Sequence, residues 1–152
     1  MIQLEQRRRY PVPRERAFAY ITDPQHWPEY WADLASIPDL DTARWQAPGD
    51  TMRLRMRMPG REVELHMTLT SFEPPSLVTY RSVQAGMPDA EHERRFIADG
   101  EGLEYVVVVR YEPRPGVAGL LDRSVIRLGI ARAMRRTMDN LQQRLGKLGE
   151  RA

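Results

Sequence analysis

Residues 51–69 read TMRLRMRMPGREVELHMTL, two alternating runs either side of a Pro-Gly pair. Met52, Leu54, Met56 and Met58 alternate with Arg53, Arg55 and Arg57; beyond Pro59-Gly60, Val63, Leu65, Met67 and Leu69 alternate with Glu62, Glu64 and His66. A period of two puts each set on one face of a strand. Pairing residue 58 with 61 sets Arg57 opposite Glu62, Arg55 opposite Glu64, Met56 opposite Val63 and Leu54 opposite Leu65. One face is then apolar and the other a ladder of opposite charges, each pair worth about 0.2–1 kcal/mol. A slip of one residue would mix the faces, so this register is expected. Pro-Gly is not the preferred two-residue hairpin turn, which leaves room for a wider loop.

The pattern extends in both directions. Residues 2–10 alternate weakly, and runs at 36–46, 76–85, 89–98 and 102–112 join 51–58 and 62–72 as strands. In the last of them, Leu103, Tyr105, Val107, Val109 and Tyr111 share a face. Within 76–85 the inward parity is open: Arg81 alternates with Leu77, Thr79 and Val83, but Val78 and Tyr80 compete. After PRPG the period changes. Met134, Met138, Leu141, Leu145 and Leu148 step by four, three, four and three, and Leu121, Leu128 and Ala131 extend the stripe backwards. A helix over 118–147 would be about 45 Å long, lying across the sheet as its only large cover. Gly129 within it implies close packing or a bend, since glycine costs about 1 kcal/mol against alanine there.

Between the first two strands, PVPRERAFAYITD reads as a helix entered through Pro13, with Ala17, Phe18 and Ile21 on one face. TDPQHWPEYWADL (22–34) follows as a short second helix or elbow, because Pro24 and Pro28 limit its length. The sum is an α+β architecture. A curved sheet closed by a single helix leaves space between them, and Trp27, Tyr30 and Trp31 are expected to roof that space.

Composition bounds the chemistry. The 152 residues suit one domain, and 41% hydrophobic and 29% charged residues suit a soluble globular one. The absence of cysteine excludes disulfides and thiolate chemistry. The basic residues, all arginine except Lys147, are interleaved with the acids to a net charge of +2. The N-terminal stretch has no apolar h-region and no run approaches membrane-spanning length, so a cytoplasmic location is expected. His26, His66 and His92 fall in different elements without ligand spacing, so no metal is expected. No phosphate loop, dinucleotide fingerprint or Ser-His-Asp order appears, and no cofactor is implied.

Four stretches in order resemble the START-like (SRPBCC) superfamily, in particular its polyketide cyclase/dehydrase-like branch. YPVPRERAFAYITDPQHWPEYW resembles the opening strand-helix-helix with its D-P-x-x-W-P elbow. SFEPPSLVTYRS resembles the E-P-P-x-x-L turn, and RRFIADGEGLEYVVVVRYEPRPG the F-x-x-x-G-x-G-T hairpin with Leu103 in place of Thr. RAMRRTMDNLQQRL resembles the end of the C-terminal helix. The resemblance implies a helix-grip: a seven-stranded curved antiparallel sheet around the long helix, two short helices after the first strand, and an apolar cavity. Members bind or transport lipids and other hydrophobic molecules, and some cyclise or dehydrate polyketides.

The candidate cavity is lined by Met52, Leu54, Met56, Leu65, Met67, Phe96, Val107, Ala131, Met134 and Met138 and roofed by Trp27 and Trp31. Methionine adapts to irregular space, which suits a pocket as well as a core. If Phe96 faces inward, His92 and Arg94 do too. Arg94 would then clamp an anionic or carbonyl head group and His92 would exchange protons, with Tyr105 presenting a hydroxyl. The alternative is an exposed strand end where both pair with Glu91 or Glu93. The leading expectation is a binding module for a hydrophobic or amphipathic small molecule. The second is a cyclase or dehydratase using His92, Arg94 and Tyr105. The third is a partner- or membrane-contacting protein with a vestigial cavity, for which the basic helix face of Arg123, Arg127, Arg135 and Lys147 would meet anionic lipid. Nucleic acid is not expected, because no aromatics interleave with that face.

Overall fold

The computed structural model describes residues 1–150, and the side chains of residues 1–147. The elements are β1 (Ile2–Tyr10), α1 (Arg14–Ile21), a 3-10 turn (Pro24–His26), α2 (Trp27–Tyr30), β2 (Leu34–Ser36), β3 (Thr51–Met58), β4 (Arg61–Glu73), β5 (Leu77–Gln84), β6 (Ala90–Asp99), β7 (Gly102–Tyr111), α3 (Val117–Arg123) and α4 (Val125–Glu150). The strands form one antiparallel sheet in the order β1-β7-β6-β5-β4-β3-β2. It curls around α4 as a half-barrel, an α+β helix-grip. Because β1 pairs with β7, the chain must pass through α1 and α2 to start β2 at the opposite end of the sheet. That passage closes one end of the grip.

The β3–β4 register is the one the alternation predicts, Met58 with Arg61 through Leu54 with Leu65. The turn is two residues long, and Gly60 at φ 76° meets the positive φ that the third position of a type II turn requires. The ion pairs run diagonally rather than straight across. Arg55 pairs with Glu62 at 3.1 Å and Arg53 with Glu64 at 3.7 Å, while Arg57 donates to the Leu34 carbonyl at 3.0 Å. The long arginine stems lean along the strand, so the nearest carboxylate lies one step away.

Further along β4 a bulge between Leu69 and Ser71 flips the parity, so Phe72 turns inward and meets Phe18 at 5.3 Å. On the convex face, Val106 and Val108 are buried although they point away from α4. Their strand neighbours Glu5, Arg7, Glu93 and Arg95 cover them, tied by Arg7–Glu5, Arg7–Glu104 and Arg95–Glu93 pairs. The charged side chains act there as an apolar blanket through their stems.

Five consecutive residues of α4 tie it to the rest. Arg136 pairs with Asp33 (2.7 Å), Thr137 Oγ1 accepts the Ala32 N–H (3.1 Å), and the Met138 carbonyl accepts the Tyr10 hydroxyl (2.9 Å). Asp139 pairs with Arg8 (2.6 Å), and Asn140 donates to the Tyr30 carbonyl (3.0 Å). Met138, Leu141 and Leu145 are buried in the main core and Met134 in a second cluster with Ala90, Val109 and Tyr111.

Four expectations need correction. The strand placed at 36–46 is only Leu34–Ser36, and residues 37–50 run as a loop that buries Trp45. The single helix over 118–147 is broken at Ser124, whose φ −121° and ψ −91° lie outside the helical region. Leu121, on the far side of that break, and Leu128, on the turns of α4 ahead of Met134, are exposed instead of continuing the stripe. Gly129 is also exposed, and a Cβ added there meets nothing within 4 Å, so close packing does not explain it. Leu148 lies outside the residues whose side chains are described.

Helix α3 is locked to the end of β7. A Cβ on Gly119 would fall 2.1 Å from the Arg114 carbonyl oxygen, so only glycine permits this approach. Asp122, fully buried, accepts from the Arg114 backbone N–H and twice from its guanidinium, and its own carbonyl accepts the Tyr111 hydroxyl. The Arg114 hydrogen bonds hold the Asp122 carboxyl below the usual carboxylate range against the opposing effect of burial.

Two outcomes follow. Gly129→Ala should raise stability by up to about 1 kcal/mol in urea unfolding, since the helix gains propensity without a clash. Asp122→Asn should lower the melting temperature at neutral pH. A depressed folded-state pKa stabilises above the ordinary carboxylate value and is lost as pH falls through the folded one. The gap between variant and parent should therefore close on acidification, read by circular dichroism melts across pH.

Candidate functional site

On β6 the inward positions are Ala90, His92, Arg94 and Phe96; opposite them stand Ser82, Tyr80 and Val78 on β5, and Tyr111, Val109, Val107 and Tyr105 on β7. A cation is thus carried onto the concave face by strand parity alone. Arg94 is 9% exposed and pairs with no carboxylate among the described residues. Its guanidinium donates to the Tyr80 hydroxyl at 2.7 Å and to the Tyr105 hydroxyl at 3.2 Å, while its Nε has no partner among the described residues. The Trp31 ring lies 5.1 Å from the guanidinium carbon and the Tyr80 ring 5.4 Å, close enough for cation–π attraction.

The two phenols bring lone pairs and the tryptophan a ring face, yet none brings a countercharge. Burial raises the Tyr105 pKa despite the opposing pull of Arg94, so its phenol stays neutral. An arginine remains protonated in any protein environment, so the charge is real. Desolvating a guanidinium without an anion is costly, and its Nε–H is left without a partner among the described residues.

His92 lies next to this cation. Its ring stacks on Tyr80 (4.4 Å, 6° between planes), and its Nε2 hydrogen-bonds the Ser82 hydroxyl at 2.7 Å. Burial, and secondarily the charge of Arg94, pushes its pKa down to about 3. The imidazole is therefore neutral around pH 7, with one nitrogen to donate and one to accept. Neither His92 nor Arg94 pairs with Glu91 or Glu93; Glu93 instead serves Arg95 and Arg110 on the outer face.

The roof is built by the elbow. The Trp27 indole N–H and the Tyr30 hydroxyl both donate to the Ile21 carbonyl, at 2.9 and 2.7 Å, locking α2 onto the end of α1. Trp27 and Tyr30 are buried core plugs, whereas Trp31, one residue on, is half-buried above Arg94. Trp27 also meets Trp31 edge-on at 5.2 Å and Trp45 at 5.7 Å, and Trp45 in turn meets Tyr80 at 5.7 Å.

The other predicted lining residues divide into two groups. Met52, Leu54, Leu65, Met67, Phe96, Tyr105 and Met138 are packed into the main core, and Met134 into the second cluster. Trp31, Met56 and Val107 are partly buried and packed against the main core, and His92 and Ala131 are partly buried as well. Two clefts of about 520 Å³ each lie elsewhere. One runs between the β5–β6 loop and the segment after β7, past Arg81, Glu91 and Arg114; the other lies beside Arg14, Glu73 and Arg95. The predicted enclosure by Met56, Met67, Tyr105 and Met138 is lined by neither.

Ser82 and Trp45 carry no sequence signal as site residues, and Tyr80 is the residue whose parity the alternation leaves open. Pairing β5 with β6 settles the parity that Arg81 left open, since Tyr80 then stands opposite His92. Trp45, expected in a strand over 36–46, sits instead in the loop after β2. Among the described residues no group of three or more His, Asp or Glu side chains is placed to hold a metal, and no helix is long and apolar enough to cross a membrane.

The same fold occurs in solved structures of low sequence identity. TTHA0849 from Thermus thermophilus is 19% identical, with 97% of this chain and 99% of that one covered at a TM-score of 0.77. A protein from Arthrobacter aurescens is 11% identical over 95% and 86%, with a TM-score of 0.77. The di-domain ARO/CYC StfQ from the steffimycin biosynthetic pathway is 13% identical over 98% of this chain and 52% of that one, at 0.74. No curated protein matches the chain in sequence. The profile of the family described as polyketide cyclase / dehydrase and lipid transport matches residues 1–146, and with that match over nearly its whole length the chain belongs to this family.

Proposed function

We propose that the protein binds an amphipathic small molecule whose acidic or carbonyl head group completes the hydrogen bonding of Arg94. The carrying observation is a buried guanidinium with two phenols, a tryptophan face and no carboxylate. An anionic oxygen there would offset the desolvation cost that the protein leaves uncompensated. The apolar body of the ligand would lie along the partly buried residues Trp31, Met56, Val107 and Ala131. Family membership supports a hydrophobic small molecule as the ligand class.

The second reading is a cofactor-independent cyclase or dehydratase at the same residues. It is favoured by a neutral imidazole within the same inward row as a fixed cation. Arg94 and Tyr105 would stabilise an enolate oxygen, while His92 would take a proton from the adjacent carbon. A base with its pKa pushed to about 3 is weak, so such a step depends on Arg94 making the carbon acid stronger.

Native mass spectrometry of protein purified from its own host should reveal a retained apolar ligand. Titration calorimetry with decanoate and with decanol separates head group from chain. Arg94→Met should weaken decanoate by about 1.5–3 kcal/mol, the range for hydrogen bonds to charged groups, and spare decanol. Equal effects on both would defeat the head-group assignment.

The catalytic reading is checked by deuterium exchange into a 1,3-diketone. His92→Gln should abolish exchange and leave decanoate binding intact. Because His92 titrates near 3, the rate should show no histidine inflection between about pH 5 and 8.

A further inference from the structure

Eight large apolar side chains are exposed among the described residues, and five of them fall within twelve consecutive positions: Val117, Leu120, Leu121, Val125 and Leu128. Val117, Leu120 and Leu121 fall at helical spacing on α3 and Val125 and Leu128 on α4, either side of the break at Ser124, and all five of this apolar stripe lie in solvent. Leu120, Val125 and Leu128 are each 65% exposed. Such clustering is not the scatter of single apolar residues found on any surface.

The surroundings are cationic. Arg123, Arg127, Arg132 and Arg135 are exposed, and none makes an ion pair or side-chain hydrogen bond among the described residues. From residue 115 to 138 the chain has a single acid, Asp122, which is buried and taken up by Arg114. Gly119 and Asp122 also fix α3 against β7, so the stripe is held in place before anything meets it.

We propose that the α3–α4 elbow seats the protein on an anionic membrane surface. The five apolar side chains enter the interface and the four arginines meet lipid phosphates and carboxylates. This is the composition of an interfacial helix, apolar on one side and rich in cations beside it. A second copy of the chain is a poorer occupant, because a two-fold contact would set identical arginines against each other. Nucleic acid is poorer too, since no aromatic residue follows Tyr111. The inference stands apart from the Arg94 site and survives if that site binds nothing.

The test is co-sedimentation of the full chain with vesicles of phosphatidylcholine alone or with about one third phosphatidylserine. Binding is expected to the anionic vesicles only and to weaken with added salt. Leu120→Gln combined with Leu128→Gln should reduce the partition coefficient at least about tenfold, as should Arg123→Glu with Arg127→Glu. All four positions are exposed, so circular dichroism melts of both variants should match the parent.

Equal partition onto neutral and anionic vesicles would overturn the proposal, as would no binding to either. Loss with the arginine variant but not the leucine variant would reduce the contact to charge alone and overturn insertion. Self-association in light scattering that both variants abolish would assign the stripe to a second copy instead.

Discussion

The position of Trp31 over Arg94 depends on five consecutive residues of α4, Arg136 to Asn140, being tied to β1, to the last residue of α2 and to the segment after it. The ties reach Arg8, Tyr10, Tyr30, Ala32 and Asp33, which bracket Trp31 on both sides. Fixing that short stretch of helix therefore fixes the tryptophan over Arg94. Each link is an ordinary hydrogen bond or surface pair, individually worth about 1 kcal/mol or less. Their effect is geometric: they choose one angle for the helix across the sheet. They also divide the helix. The turns around Met138, Leu141 and Leu145 are locked into the core, whereas the turns before Met134 overhang it with Val125 and Leu128 in solvent.

Arg94 is the polar counterpart of that constraint. Strand alternation brings the residue inward, and the packing offers it hydroxyls and ring faces but no acid. A neighbouring histidine feels both the dry surroundings and the positive charge, and stays neutral. The concave face thus carries an uncompensated cation beside neutral donors and acceptors. On the proposed reading, an electron-rich oxygen of the ligand would meet that pattern.

The β3–β4 hairpin was legible in the sequence to the residue, because its two faces differ so sharply that one register alone satisfies both. The inward row of His92, Arg94 and Phe96 followed from strand parity only on the condition that Phe96 faces inward, with an exposed strand end as the alternative. Position 80 was harder: β5 carries side chains of mixed character on both parities, and only its partners decide which face is covered. The break at Ser124 was hidden because Leu121, Leu128 and Ala131 continue the heptad-like spacing. Spacing reports which residues share a face, and it does not report what that face meets. Trp45 was beyond reach, since burial of a loop aromatic comes from tertiary packing with no local period. The site was partly visible: the cation and the imidazole came from strand parity, while the tyrosine and serine that hold them came from pairing across β5.

The sheet leaves its two outermost strands unpaired on one side, and their composition bears on how the protein behaves at high concentration. β2 is three residues long with an interrupted register, too short to template an incoming strand. β1 is longer, but Gln3, Glu5, Arg7 and Arg9 present a polar, charged border there. Blunt or charged edges resist edge-to-edge aggregation. A half-barrel that does not close on itself needs that protection, and here it comes from strand length on one side and charge on the other.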